Sequence, residues 1–557
     1  MVVAGIALGK STAAEELRLT RLSAEGLPSS DVTAPGAEDA RIAWAGLQVT
    51  PDGRWIVYAH DDRIDQVYEL YAVSRDGATR IRLSPDLEPG ESLRWFALTP
   101  DGASVVSLRG FAATGDWALY RVPIGGPGAG EGEQLVYREP DPERWISGTP
   151  LGISPDSDWL VFGTAPRFDT RADWIFTAQL EESPAKPRRV FTTAGWDRPS
   201  VGAYFSPDSN HLVLLADRLF SLPLPGGPGD LVRLDEGEAV LGRPARASIT
   251  PDSARVLFVE SREEPADSGL FSVPIGGPGS AAVRLSPPIA DSRGLSVYVK
   301  SADSEVVTFL LRPERLGPGQ AWSAPVAGPV EAAVRLDAGA MGWEGAGMPY
   351  PTPDSLQAVL SLDPEGLGER RLVRVPILGP AEAAVPLTPL YGPRATFLGT
   401  RFSPDGRQTV YGVDVDLVPP NRRFYSVPLA GPPELARPLG DAFTDELQLA
   451  WATVDPTSRT VAVVADFDAP FRYEIVRARF DRPDLPAEPV HPELPPEASA
   501  CSELVWTPDG LGLIFRAELD AAGKVELFIA DGLIFEDDLE SGDDSRWSEG
   551  AGRRAAR

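Results

Sequence analysis

The chain has 557 residues, with 81 Asp and Glu against 52 Lys and Arg, giving a formal net charge of −29. Its four lysines (Lys10, Lys186, Lys300 and Lys524) and its arginines, scattered among carboxylates, form no basic footprint of the kind that displaces counterions from phosphates, so nucleic acid is excluded as a partner and anionic membrane surfaces are disfavoured. The single cysteine, Cys501, excludes an intrachain disulfide framework and a cysteine-based metal site, and no apolar run is long enough to span a bilayer as a helix.

In chain order, residues 1–14 come first. Met1–Leu8 is apolar, and small polar residues and Ala13-Ala14 follow. This is the composition of a truncated secretory leader without its charged start. The expectation is a protein outside the cytoplasm, extracellular, periplasmic or on the cell surface, with a cytoplasmic location as the alternative. A solitary strand-like run follows, Leu17-Arg18-Leu19-Thr20-Arg21-Leu22.

A short phrase then recurs about every 50 residues, a repeat-architecture period. It reads Thr50-Pro51-Asp52-Gly53, Thr99-Pro100-Asp101-Gly102, Ser154-Pro155-Asp156-Ser157, Ser206-Pro207-Asp208-Ser209 and Thr250-Pro251-Asp252-Ser253. It returns as Thr352-Pro353-Asp354-Ser355, Ser403-Pro404-Asp405-Gly406 and Thr507-Pro508-Asp509-Gly510, with worn copies at Ala302-Asp303-Ser304 and Asp455-Pro456-Thr457-Ser458. The chemistry is that of a tight turn. The hydroxyl accepts a local backbone hydrogen bond, Pro presets φ, and Gly tolerates a left-handed backbone.

Each turn is flanked by β-branched and aromatic runs such as Trp55–Tyr58 and Trp159–Phe162. A further strand follows, such as Leu70-Tyr71-Ala72-Val73 or Leu270-Phe271-Ser272-Val273, then a proline and glycine-rich turn, then a last strand such as Leu231–Leu234. With 56 Pro and 54 Gly spread along the chain, long helices are excluded. The predicted fold is all-β: a β-propeller of about ten four-stranded antiparallel blades over residues 15–532, with two rings of about five blades as the alternative. The last repeat is one strand short, so residues 17–22 are expected to complete it and join the chain ends, removing exposed sheet edges. Residues 533–557 form an acidic tail.

The turn phrase together with the Leu-Tyr-x-Val strand resembles the WD40-like PD40 repeat of TolB-like propellers, also found in propeller peptidases, over about residues 40–532. The stretch from Val57 to Tyr71 is similar to repeats of large bacterial surface or secreted propellers. The tail from Ile534 to Trp547 resembles an ending seen on exported bacterial proteins. The α/β domain that precedes TolB-like propellers has no counterpart here, nor does the hydrolase domain with a Gly-x-Ser-x-Gly elbow that follows peptidase propellers. The resemblance therefore implies a stand-alone propeller.

The three histidines, His60, His211 and His491, fall in different repeats and read as structural or solvated groups, so a Ser-His-Asp device is disfavoured. Trp55, Trp95, Trp117, Trp159 and Trp174 read as packing between blades, with a carbohydrate platform as the minority reading. Carboxylates are the better lead. Asp414 and Asp416, and Asp466 and Asp468, leave strands with alternation that puts each pair on one side. Asp61, Asp62 and Asp65 occupy the equivalent connection of the first repeat. These residues are the candidate ligand-binding set. The leading functional expectation is a non-catalytic, exported binding or scaffold propeller, without a cofactor, that recognises a protein, peptide or glycan through loops on one face. The alternative is a carboxylate-dependent polysaccharide hydrolase or lyase, assisted by Ca²⁺ held in oxygen-rich loops.

Overall fold

A computed structural model describes residues 17–23 and 46–532, apart from 62, 65–66, 126–131, 168, 170, 183–184, 194–200, 236–242, 262–267, 289–293, 313–317, 338–344, 366, 393–394, 418–419, 441–450, 468–471, 481–484, 497 and 520–524. The expected leader over 1–14 and acidic tail over 533–557 lie outside the described residues. Among the described residues there are ten four-stranded antiparallel sheets, each a simple meander of consecutive strands. They form one ring of ten blades, as expected, and the two-ring alternative falls. Helical structure among the described residues is confined to short 3₁₀ turns, four of which follow a proline.

Blade 1 shows the unit. Its strands are Leu47–Val49, Trp55–His60, Glu69–Ser74 and Arg80–Arg82. The second strand is buried along nearly its whole length rather than at alternate residues, because a neighbouring blade covers each face. In blade 6 the second strand, Val306–Leu311, is buried at every position. The cores are continuous from blade to blade. Val57 and Leu70 of blade 1, Phe96 and Leu119 of blade 2, and Leu160 and Phe162 of blade 3 belong to one cluster.

The ring closes with sequence-distant strands. Leu17–Arg21 lies antiparallel to Glu526–Gly532, from Leu17↔Gly532 to Arg21↔Phe528, and supplies the fourth strand of blade 10. Its end repeats an internal device. In blades 1, 4, 5 and 7 the backbone N–H that opens the third strand donates to a side chain just past the fourth strand: Leu70 to Ser84, Leu219 to Asp235, Leu270 to Ser286 and Leu372 to Thr388. At the closure Leu527 N–H donates to Ser23 Oγ at 3.1 Å in the same way. Leu22, Leu47, Ile56 and Tyr58 then pack against Ile514, Leu527 and Ile529. Arg75 of blade 1 donates to Asp531 at 2.8 Å and to Asp509 of blade 10.

The turn phrase builds a second ring of contacts. Within nine of the ten turns the first hydroxyl donates to the Asp two residues on, as Thr250 does to Asp252 at 2.6 Å, and accepts the N–H five residues on; in the tenth the order is reversed, and the Asp455 carboxylate accepts from Thr457 and from Thr460 N–H. The fourth residue has positive φ in every copy. Six copies use Ser there, at φ between 59° and 70°, where an L side chain is strained by roughly 1–2 kcal/mol. Each of those six serines accepts the N–H of the preceding blade's Asp: Asp101 to Ser157, Asp156 to Ser209, Asp208 to Ser253, Asp252 to Ser304, Asp303 to Ser355 and Asp405 to Ser458. The inter-blade bond offsets the local strain. One face of the ring is thus committed to holding blades together.

Candidate functional site: the inner wall of blades 4 to 6

The meander puts the connections between second and third strands on the face opposite the turn phrase. The predicted carboxylates belong there, and four of the seven, Asp61, Asp414, Asp416 and Asp466, are among the described residues. Asp62, Asp65 and Asp468 lie outside the described residues. Asp61, in blade 1, is fully buried beside His60. Asp414 and Asp416 do not leave their strand as expected. The strand runs through them, Gln408–Leu417, because Asp414 pairs across the hairpin with Arg422, whose Nε donates to it at 3.1 Å. Asp466, in blade 9, is also buried. Among the described residues no three His, Cys, Asp or Glu side chains are placed to hold a metal ion together.

Buried charges near these connections serve the blades themselves. Glu69 accepts from Tyr71 at 2.8 Å and faces Arg63 at 3.3 Å and Arg82 at 3.6 Å. Arg80 stacks 3.7 Å over the Tyr71 ring and donates to Tyr58 at 2.8 Å. Trp95 and Trp117 are buried in the core, and Trp174 is capped by Arg144 at 3.6 Å and Arg189 at 4.8 Å. His491 takes the place that Ser84, Asp235, Ser286 and Thr388 hold in their blades: its Nε2 accepts from Ile475 N–H at 3.0 Å and its Nδ1 donates to the Pro492 carbonyl at 2.8 Å. Burial pushes this imidazole down, in keeping with a neutral ring.

The open concavity lies elsewhere. A cavity of about 400 Å³ is lined by Tyr204, Leu215, Arg246, Ala247, Ser248, Tyr298, Val299 and Lys300. All but Leu215 belong to the first strands of three successive blades: Gly202–Phe205 in blade 4, Arg243–Ile249 in blade 5 and Leu295–Lys300 in blade 6. First strands sit at the inner end of each sheet, so the cavity opens on the inner wall of the ring. Small side chains at Ala247 and Ser248 leave the room, and Tyr204, 42% exposed, offers a ring. Tyr298 anchors one side by donating to the Leu257 carbonyl at 3.1 Å. Burial raises its phenol to about 12, against Ser248 and Arg246, which pull the other way.

Lys300 is the unusual member. It ends its strand one residue before the turn, where the other nine blades carry Val49, Leu98, Ile153, Phe205, Ile249, Pro351, Phe402, Val454 and Trp506. An ammonium therefore replaces an apolar residue at a half-buried site. One of its three donors goes to the Ile249 carbonyl of the neighbouring blade. Burial pushes its pKa down, and no carboxylate among the described residues offsets that. Reading Lys300 against its counterparts in the other repeats exposes it; reading the loops for carboxylates does not.

No protein-family model matches this sequence, and no curated protein matches it. Solved structures of the same general kind are similar at low identity. An oligogalacturonate lyase from Vibrio parahaemolyticus is 13% identical over 95% of this chain and 98% of its own, with a TM-score of 0.37. A protein assigned as TolB from Agrobacterium tumefaciens is 15% identical over 46% of this chain and 83% of its own, with a TM-score of 0.24. A prolyl endopeptidase is 14% identical over 66% of this chain, with a TM-score of 0.33, and this chain spans only 54% of its length. These likenesses say nothing of what this chain binds.

Proposed function

We propose that this chain is a non-catalytic binding propeller of the TolB-like, PD40-repeat type, exported from a bacterial cell. Its ligand, a peptide, protein or glycan, enters the inner wall of blades 4–6. The observation that carries this reading is the 400 Å³ cavity with Arg246 and Lys300 in its lining, in a protein of net charge −29. Concave sites of this size with a few convergent polar groups are where ligands bind. Asp61, Asp414 and Asp466 are buried, which favours this wall over the loop tips as the place of contact.

The test is equilibration of the purified chain with a panel of glycans and peptides, with bound and remaining compounds measured by mass spectrometry. Bound compounds are expected back unchanged, and Ser248→Trp, which fills the cavity, should abolish their capture. Steady release of a cleaved product in proportion to protein would overturn the non-catalytic reading. Undiminished capture by the Ser248→Trp variant would overturn the site.

A further inference from the structure

We infer that the cavity on the inner wall of blades 4–6 captures the C-terminal carboxylate of a peptide whose last side chain is apolar, with Lys300 as its counter-charge. The inference rests on the binding reading given above and narrows it to one ligand chemistry.

Three observations converge on a single anionic group. Lys300 stands alone among ten equivalent positions in carrying a charge. It is half-buried, and no carboxylate of the described residues stands against it, although acidic residues outnumber basic ones by 81 to 52. Removing an ammonium from water without a counter-charge is costly, so such a site is stabilised when an anion arrives. Arg246 lines the same cavity and adds a second positive charge.

The rest of the lining is apolar or aromatic. Leu215, Ala247, Val299 and the faces of Tyr204 and Tyr298 suit an apolar side chain next to the charge. The backbone favours a peptide over other carriers of a carboxylate. The strands Gly202–Phe205, Arg243–Ile249 and Leu295–Lys300 are each the end strand of their sheet, so among the described residues no further strand pairs with their inner edges. An extended peptide can hydrogen-bond to such an edge through its own main chain. The strongly negative remainder of the protein repels a ligand with acidic groups along its length, which limits recognition to one terminal charge.

The decisive comparison uses the full chain and two fluorescently labelled peptides, Gly-Gly-Ser-Phe as the free acid and as its C-terminal amide, titrated by anisotropy. The acid is expected to bind about tenfold or more tighter than the amide, the range of a charge-assisted hydrogen bond. Lys300→Met keeps the length of the side chain and restores the apolar character of the other nine blades, so it is expected to fold. It should erase most of the preference, because it weakens binding of the acid far more than binding of the amide. As the pH rises through the lowered pKa of Lys300, below the ordinary lysine value, the preference should fade. Equal binding of acid and amide would overturn the carboxylate inference and leave the cavity as a site. Failure of both peptides, with a glycan still captured by the wild type and lost in Ser248→Trp, would overturn the peptide and keep the site. Failure of every ligand would overturn both.

Discussion

The hydroxyl of Ser157 accepts the backbone N–H of Asp101 at 3.0 Å across the seam between blades 2 and 3, while Ser157 itself sits at φ 70°. A strained residue and an inter-blade bond thus come as one unit, repeated at six seams. The two parts separate at Ser253, which has φ 63° and accepts from Asp208. Ser253→Ala keeps the strain and loses the bond, and is expected to destabilise by about 1–2 kcal/mol. Ser253→Gly loses the bond but relieves the strain, and should lie within about 0.5 kcal/mol of the wild type. Urea midpoints of the two variants check this, and equal losses would refute the offset.

The closing seam is pinned by Arg75, which bridges Asp509 and Asp531. Arg75→Met should cost about 1–2 kcal/mol, because two carboxylates lose three charge-assisted hydrogen bonds at a partly buried seam. Arg138, paired with Asp116 at a site where both are about half exposed, is the control. Arg138→Met is expected to change stability by less than about 0.5 kcal/mol. Hydrogen exchange at Leu22 and Leu527 should quicken in the first variant only.

Arg109 is 5% exposed, lies 3.9 Å over the Tyr120 ring and is held by both oxygens of Glu133 at 2.5 and 2.6 Å. Glu133→Ala leaves the buried guanidinium facing only Glu91, 3.9 Å from its Nε, and should cost about 3 kcal/mol. The double variant Arg109→Leu, Glu133→Leu is expected to recover most of that loss. Thermal melts of the three proteins measure it.

Acid should weaken the turn ring within a definite window. Burial tends to raise the Asp208 carboxyl, but hydrogen bonds from Ser206 and Asn210 prevail and bring it down to about 2. Asp52, held first by Thr50, and Asp101, Asp252 and Asp509, where similar bonds outweigh burial, are also lowered. A carboxylate with a depressed folded pKa stabilises fully above its unfolded value near 3.8 and loses that contribution as pH falls through the folded one. Stability should therefore decline between about pH 4 and pH 2, and Asp208→Asn should flatten the curve there. A decline of the same steepness in that variant would contradict the assignment.

Lys300 predicts the opposite limb. Its folded pKa is lowered by burial, so it costs stability at neutral pH and ceases to do so once deprotonated. Lys300→Ile should stabilise by about 1 kcal/mol at pH 7 and by less as pH approaches the ordinary lysine value of 10.5. Denaturant melts at the two pH values check both the sign and the trend.

The blades were legible because their punctuation is chemical. Thr50, Pro51 and Asp52 carry the turn in their own side chains, so ten such turns mark ten sheets whatever packs around them. Even the worn copy at Asp303 makes the same turn, with Ser301 donating to it. The role of serine at the fourth position was not legible, since its partner lies one blade away. The site was less legible still. Loop aspartates such as Asp414 look solvent-facing in sequence, and only the cross-strand pairing with Arg422 shows why Asp414 is buried. Tyr204, Arg246 and Lys300 meet only because three repeats stand side by side.

Because Leu17–Arg21 must find Glu526–Gly532, nine sheets can assemble in order as the polypeptide leaves the ribosome, each from its own local segment. The tenth cannot. Until residue 532 emerges, the nascent protein is an open horseshoe with the inner faces of its first and last sheets uncovered. A chaperone that shields such a gap during translation would act on this protein at one moment only, the interval between synthesis of the ninth sheet and the snap of the clasp.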